Sequence, residues 1–306
     1  MDVEEPLPLI NHIMAGVVIG LVGFSGVFSN LLGCLTIARR QHLHNAFGIL
    51  CLSHCIANCG VCLAFFAWCA PTTIWQTVDI ADTVVGKHIG QINILFWDAC
   101  VYSHLSISIN RFVTICFPIQ AKNLFGRKVT TAFVVVVWTL AVFHITPYFW
   151  FGQCYILYDP VGWTWNFANT DCGRIISTWT DFYTGLAVMC AMVCTDLGTL
   201  LRLRIVHSSL CQSAIFGIEL LCFYFVSNYA TTQWKLFMST TFAWGACHAA
   251  DGLILDLFHF KRSVVCGSGR RGGKSAANTT TSLCTFGTAA YDDRGSNQRA
   301  SAITPF

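Results

Sequence analysis

Residues Ile13–Ile37, IMAGVVIGLVGFSGVFSNLLGCLTI, run on without a single charged side chain. A helix of about 20 apolar residues crosses the hydrocarbon of a bilayer, so this stretch predicts a membrane span. Working outward, six more such stretches follow, at Asn45–Trp68, Ile89–Arg111, Val129–Phe151, Ile175–Leu201, Cys211–Thr231 and Leu236–Phe258. Apart from Arg111 at the end of the third, none holds a Lys or Arg. The expected fold is therefore an all-α membrane protein, a bundle of seven transmembrane helices. A soluble protein with seven buried helices is excluded on composition, because 55% hydrophobic and 11% charged residues leave too little polar surface.

The basic residues orient the bundle. Asp2, Glu4 and Glu5 precede the first span, whereas Arg39 and Arg40 follow it. Lys122, Arg127 and Lys128 follow the third span and Arg202 and Arg204 the fifth, while the opposite face holds only Lys87, Arg174 and Lys235. By the positive-inside bias the N-terminus is outside and the C-terminus cytosolic. The net charge of +3 is thus topological and predicts no nucleic-acid partner. The first span is preceded by acids rather than bases and lacks a small-residue cleavage site, and reads as a retained signal anchor. The expected organisation is an extracellular segment 1–12, a seven-helix domain 13–258 and a mostly disordered cytosolic tail 259–306 rich in Gly, Ser, Thr and Asn.

Polar groups inside the spans carry the functional signal. Asp98, Glu219 and Asp251 fall within helices, where an ionised carboxylate costs about 2.5–3.5 kcal/mol, so each is expected to face the bundle and find a partner or a proton. His54, His104, His144 and His248 are the candidate partners, and His248 and Asp251, one turn apart, are placed to bond to each other. Asn93, Trp97, Cys100, His104 and Arg111 recur on one stripe of the third helix, assigned to the interior. Asn93, Trp97 and Cys100 are the candidate ligand contacts, and Asp98, His104, Glu219, His248 and Asp251 the candidate switch or packing residues. No cofactor or metal is expected, since Cys51, Cys55, Cys59 and Cys62 read as small apolar packers.

Of seventeen cysteines, Cys69, Cys154 and Cys172 face the oxidising side, with Cys154–Cys172 or Cys69–Cys172 as pairings. Tyr155–Phe167, two apolar runs about Asp159-Pro160-Val161-Gly162, predicts a β-hairpin lid. Cys266 is a palmitoylation candidate. The string Gly267–Ser275 has the wrong spacing for a phosphate-binding loop and follows no strand.

Several strings carry a resemblance. Asn110-Arg111-Phe112 is similar to the Arg-centred triplet of rhodopsin-like receptors, with Asn110 where an acid usually stands; Asn30, Trp138 and Pro147 look like further landmarks of that group. Asn45–Ser53, Ser106–Phe112, Trp163–Phe167 with Asn169-Thr170, and Thr240–Trp244 running into His248–Gly252 resemble the nematode serpentine chemoreceptors of class x (Srx), over about residues 20 to 260. The resemblance implies a chemosensory receptor in the plasma membrane, including that of sensory cilia, that binds a small organic or lipid-like molecule and activates a heterotrimeric G protein at Asn110, Arg111 and Phe112. It implies no enzymatic activity. The chain departs from rhodopsin-like patterns in lacking an acid in the second helix and Pro hinges in the sixth and seventh, which leaves Gly217, Gly245 or Gly252 as hinges. Class x relatives also carry a longer basic loop than the short Arg202–Leu210 segment. A ligand-gated channel or transporter, or a receptor-like chain with an incomplete loop that does not signal, are the alternative readings. A retinal receptor is excluded, because the seventh helix has no Lys for a Schiff base.

Overall fold

In the computed structural model, residues 7–150, 152–203 and 207–268 are described, without the side chains at 42, 202–210 and 256–268. Residues through His259 form one compact unit; of the second, which begins at Phe260, only the helix end to Ser268 is described. The N-terminal acids, residues 204–206 and the side chains of the Arg202–Leu210 loop, the Cys266 side chain and the tail beyond Ser268 lie outside the described residues.

Seven long helical segments make the fold. Five are long and apolar enough to cross a membrane: α1 (Leu9–Arg39), α2 (Ala46–Trp75), α3 (Val84–Cys116), α4 (Arg127–His144) and α5 (Asp171–Leu201). They are followed by α6 (His207–Tyr224), which contains the shorter apolar run Cys211–Tyr224, and by α7 (233–268). Several expected boundaries shift. α2 runs past Trp68 to Trp75, and α3 starts at Val84. α4 stops at His144 rather than Phe151, because Pro147 cannot continue its ladder and a 3-10 turn, Thr146–Phe149, takes over. α6 ends at Tyr224, not Thr231, again in a 3-10 turn, Val226–Tyr229.

The central helix is α3, which packs on α2, α4 and α5 and buries most of its apolar window. α1 and α4 lie outward. Leu21, Phe24 and Phe28 on α1, and Val135, Leu140 and Phe143 on α4, expose large apolar side chains of the kind that face lipid. Three helices contain a widened π-helical turn: Phe65–Cys69 in α2, Ile176–Tyr183 in α5 and Met238–Phe242 in α7. Such turns are bend points, and the one in α7 lies just before Gly245, one of the expected hinges. Gly245 and Gly252 themselves are sites of close approach. A Cβ on Gly252 would stand 2.5 Å from Ser29 Oγ and 2.7 Å from Asn30 Nδ2. Asn30 uses that closeness, donating from Nδ2 to the His248 carbonyl (3.2 Å) and tying α1 to α7.

The hairpin forms where expected. β1 (Ile156–Asp159) pairs antiparallel with β2 (Thr164–Phe167), Ile156 opposite Phe167 and Asp159 opposite Thr164. Trp163 enters β2 with φ 58°, a left-handed conformation unusual for a bulky residue. Its tertiary bonds hold it there, since its indole donates to His12 Nδ1 of α1 (3.0 Å) and its carbonyl accepts from Thr241 Oγ1 of α7 (2.6 Å). Tyr158 completes the attachment, 2.7 Å from Thr73 Oγ1 of α2. The hairpin therefore caps one end of the bundle. Gly90 on α3 permits this, because a Cβ there would lie 2.0 Å from the Ile156 carbonyl oxygen. Gly90→Ala is expected to lift the hairpin at a cost of about 1–3 kcal/mol, measured as a lower melting temperature with faster protease cleavage inside residues 155–167.

Candidate functional site

Beneath the hairpin lies a cavity between α3, α5, α6 and α7. Its free space is about 10 Å³, room for about one water, with Ile156 and Phe167 of the hairpin above and Trp97, Phe223, Tyr224 and Trp244 around it. Two carboxyls line it, Asp181 of α5 and Glu219 of α6. Asp181 accepts a hydrogen bond from the Tyr224 hydroxyl. Glu219 Oε2 is buried and has no hydrogen-bond partner among the described residues. Of the expected ligand contacts, Trp97 lines this space. Asn93, one turn along α3, is fully buried and leaves both its amide N and O unpartnered. Cys100 lies deeper, in a polar cluster.

That cluster joins four helices. Asp251 of α7 meets His54 Nε2 of α2 at 2.5 Å, and accepts from Asn58 Nδ2 (3.2 Å) and from Gln212 Nε2 of α6 (2.6 Å). His54 Nδ1 donates to the Cys100 carbonyl of α3 (3.2 Å), so a single proton is left to lie between its Nε2 and Asp251. The expected bond between His248 and Asp251 is not the one formed. His248 Nδ1 donates to Asn58 Oδ1 (2.6 Å), and its Nε2 accepts from the Trp244 indole (3.0 Å). The two side chains are instead bridged by Asn58 of α2, which donates to Asp251 and accepts from His248. Cys100 Sγ donates to Asn58 Oδ1 (3.1 Å), closing the network. His54, Cys100 and Asp251 each offer a donor atom, all within 4.8 Å of one another, the one group among the described residues that could hold a metal ion. Those donors are already bonded to protein groups, which favours a helix-coupling role. Trp244 belongs both to this network and to the cavity wall.

Two further acids, Asp181 and Asp196, were not singled out in the sequence, although both lie within the apolar run Ile175–Leu201 and were visible there by the same criterion as Asp98. Asp196 of α5 accepts from Ser108 Oγ of α3 (2.6 Å) and from Ser213 Oγ of α6 (2.7 Å), one turn before Arg111. Asp98 finds one of its expected partners, His144 Nδ1 of α4, at 3.0 Å. Tyr102 OH shares that nitrogen (2.8 Å), and His144 Nε2 donates to the Thr180 carbonyl of α5 (2.7 Å). His104 is buried with neither ring nitrogen bonded among the described residues, its ring edge-on to Phe216. Trp138 of α4 donates to Ser53 Oγ of α2 (3.0 Å), which pairs with Ser103 of α3 (3.1 Å).

At the opposite end of α3, Asn110 is buried and Arg111 is half-buried, its guanidinium 5.1 Å from the centre of the Phe47 ring. Phe112 packs on α5, where a Cβ on Gly198 would come within 2.7 Å of its ring. The disulfide is Cys154–Cys172, which ties the base of the hairpin to the start of α5. Cys69 is a free thiol buried in the widened turn of α2.

Comparison with known proteins agrees with this architecture. The profile of the family described as "Serpentine type 7TM GPCR chemoreceptor Srx" matches residues 21–210 and 204–259, two stretches that meet at the α5–α6 junction. Serpentine receptor class X 45 of Caenorhabditis elegans is 23% identical over 300 residues, covering 84% of this chain and 82% of the relative. Serpentine receptor class X-43 of the same organism is 24% identical, covering 80% and 84%. Squid rhodopsin shares the fold, with a TM-score of 0.64 at 13% identity over 82% of this chain and 83% of that one. A chain with seven helical segments, a buried polar core and this match over most of its length belongs to the Srx family of serpentine, seven-transmembrane, G-protein-coupled chemoreceptors.

Proposed function

We propose that a small organic molecule enters from the hairpin side, occupies the cavity beside Trp97 and Asn93, and shifts the helices so that a heterotrimeric G protein docks at Asn110, Arg111 and Phe112. The observation that carries this reading is a continuous line of polar contacts. It runs from the cavity through Trp244 to His248, Asn58, Cys100, His54 and Asp251; Ser108–Asp196, one turn before Arg111, is a separate pair joining α3 and α5. An agonist that parts the aromatic walls moves Trp244, and the network then biases two arrangements of α6 and α7. His104 and Asp98 act as packing or switch groups on α3, while Cys100 belongs to the switch rather than to the ligand wall.

In this reading the hairpin and Cys154–Cys172 face outward, where disulfides persist, and Arg111 faces the cytosol. The domain is 13–258, between an external segment 1–12 and a cytosolic tail 259–306 that carries the palmitoylation site Cys266. The receptor works in the plasma membrane, in the sensory cilia of neurons, with its apolar flanks against lipid. The test is a doubly tagged chain in cells. An N-terminal tag is expected to stain on intact cells and a C-terminal tag only after permeabilisation, with a second-messenger response to small-molecule extracts. The reverse staining, or a surface-expressed chain silent to every extract, would sink the proposal.

A further inference from the structure

The cavity also indicates what kind of molecule fills it. This inference rests on its reading as the ligand site. Two of its walls carry carboxyls, Asp181 and Glu219, and none of its lining residues is basic. Asp181 is satisfied by the Tyr224 hydroxyl, but Glu219 Oε2 is enclosed with no donor to meet it. A carboxyl in that position calls for a proton or a cation. Around it stand Trp97, Phe223, Tyr224 and Trp244, whose ring faces carry the negative quadrupole that attracts an organic cation. A hydrated metal ion gains little from such rings, and an anion would meet two acids and no base. The free space of about 10 Å³ is that of about one water, so the rings must part to admit a guest, which keeps that guest small.

We infer that this receptor recognises a small organic ammonium compound, its cationic nitrogen held by Glu219 within the ring of Trp97, Phe223, Tyr224 and Trp244, with Asp181 adding a second negative group. The cavity edged by Phe47, Cys51 and Leu255 carries no acid among its lining residues.

The test compares charged molecules with neutral ones of similar shape on the full chain in lipid nanodiscs, without G protein. Thermal unfolding is followed while titrating 2-phenylethylammonium against 2-phenylethanol, and choline against 3,3-dimethylbutan-1-ol, with sodium chloride matched. At least one ammonium is expected to stabilise the receptor at a concentration roughly tenfold or more below that needed for its neutral counterpart. Glu219→Gln is expected to erase that difference. If this variant fails to fold, the wild-type comparison alone decides. Equal effects of the alcohols, no effect of either ammonium, or the same shift with sodium chloride alone overturns the inference. Its failure is separable from failure of the receptor reading. Nucleotide exchange driven only by neutral compounds would refute the ammonium assignment alone, whereas an ammonium that binds without exchange on any Gα would count against G-protein coupling alone.

Discussion

Arg111→Ala is expected to leave the receptor folded and able to bind ligand, while lowering ligand-driven nucleotide exchange roughly 5- to 150-fold, the range of a typical coupling energy between two sites. The two effects separate because of how the end of α3 is built. Asn110 is buried in the bundle and Phe112 lies against Gly198 of α5, so these neighbours hold the helix in place. Arg111 is half-buried over the Phe47 ring, a contact worth about 0.5–1 kcal/mol at such sites. Removing it trims stability slightly. Its larger loss is the one cation that α3 presents at this end, in the triplet that resembles the coupling motif of rhodopsin-like receptors. Thermal unfolding and exchange measured on the same preparation check both halves. An Arg111→Ala receptor that exchanges at the wild-type rate would remove this residue from the coupling surface.

Asp251→Ala carries the second large effect, this time on the bundle itself. The substitution deletes the bonds to His54, Asn58 and Gln212, which tie α7 to α2 and α6. Side-chain hydrogen bonds between membrane helices are worth roughly 0.6–1.7 kcal/mol each, so the loss is on the order of 2–5 kcal/mol. His54 and Gln212 are also left buried with unmet donors, which pushes the loss toward the upper end. Asp251→Asn keeps an acceptor for Gln212 and is expected to lose less stability while still altering the two-state balance, because no proton can then be shared with His54. A graded series of melting temperatures, wild type above Asn above Ala, checks this. Identical melting temperatures for all three would show that the cluster does not hold the helices together.

The seven spans were legible because membrane helices must satisfy their backbone internally and so announce themselves as long apolar runs. The hairpin was legible for a different reason, the turn residues Asp159–Gly162 between two apolar runs. Pairings across helices were not. Spacing along one helix linked His248 with Asp251, but the two are joined through Asn58 of α2, which donates to the carboxylate and accepts from the imidazole, while the Trp244 indole takes the other ring nitrogen. Cys154 and Cys69 looked equivalent as partners of Cys172 in sequence, and only the folded chain buries Cys69 in α2 and leaves Cys154 beside the hairpin base. Of the interior stripe on α3, Trp97 lines the cavity, yet the acids beside it come from α5 and α6. Hydropathy along the chain carries no information about which of those helices faces α3.

Guanine-nucleotide exchange on a panel of Gα subunits, catalysed by the purified wild-type chain in lipid and challenged with fractionated small-molecule extracts, tests the central claim most directly. Accelerated exchange on at least one Gα is expected in the presence of an active fraction, and none without it. A folded, reconstituted chain that accelerates exchange on no Gα with any fraction would contradict it.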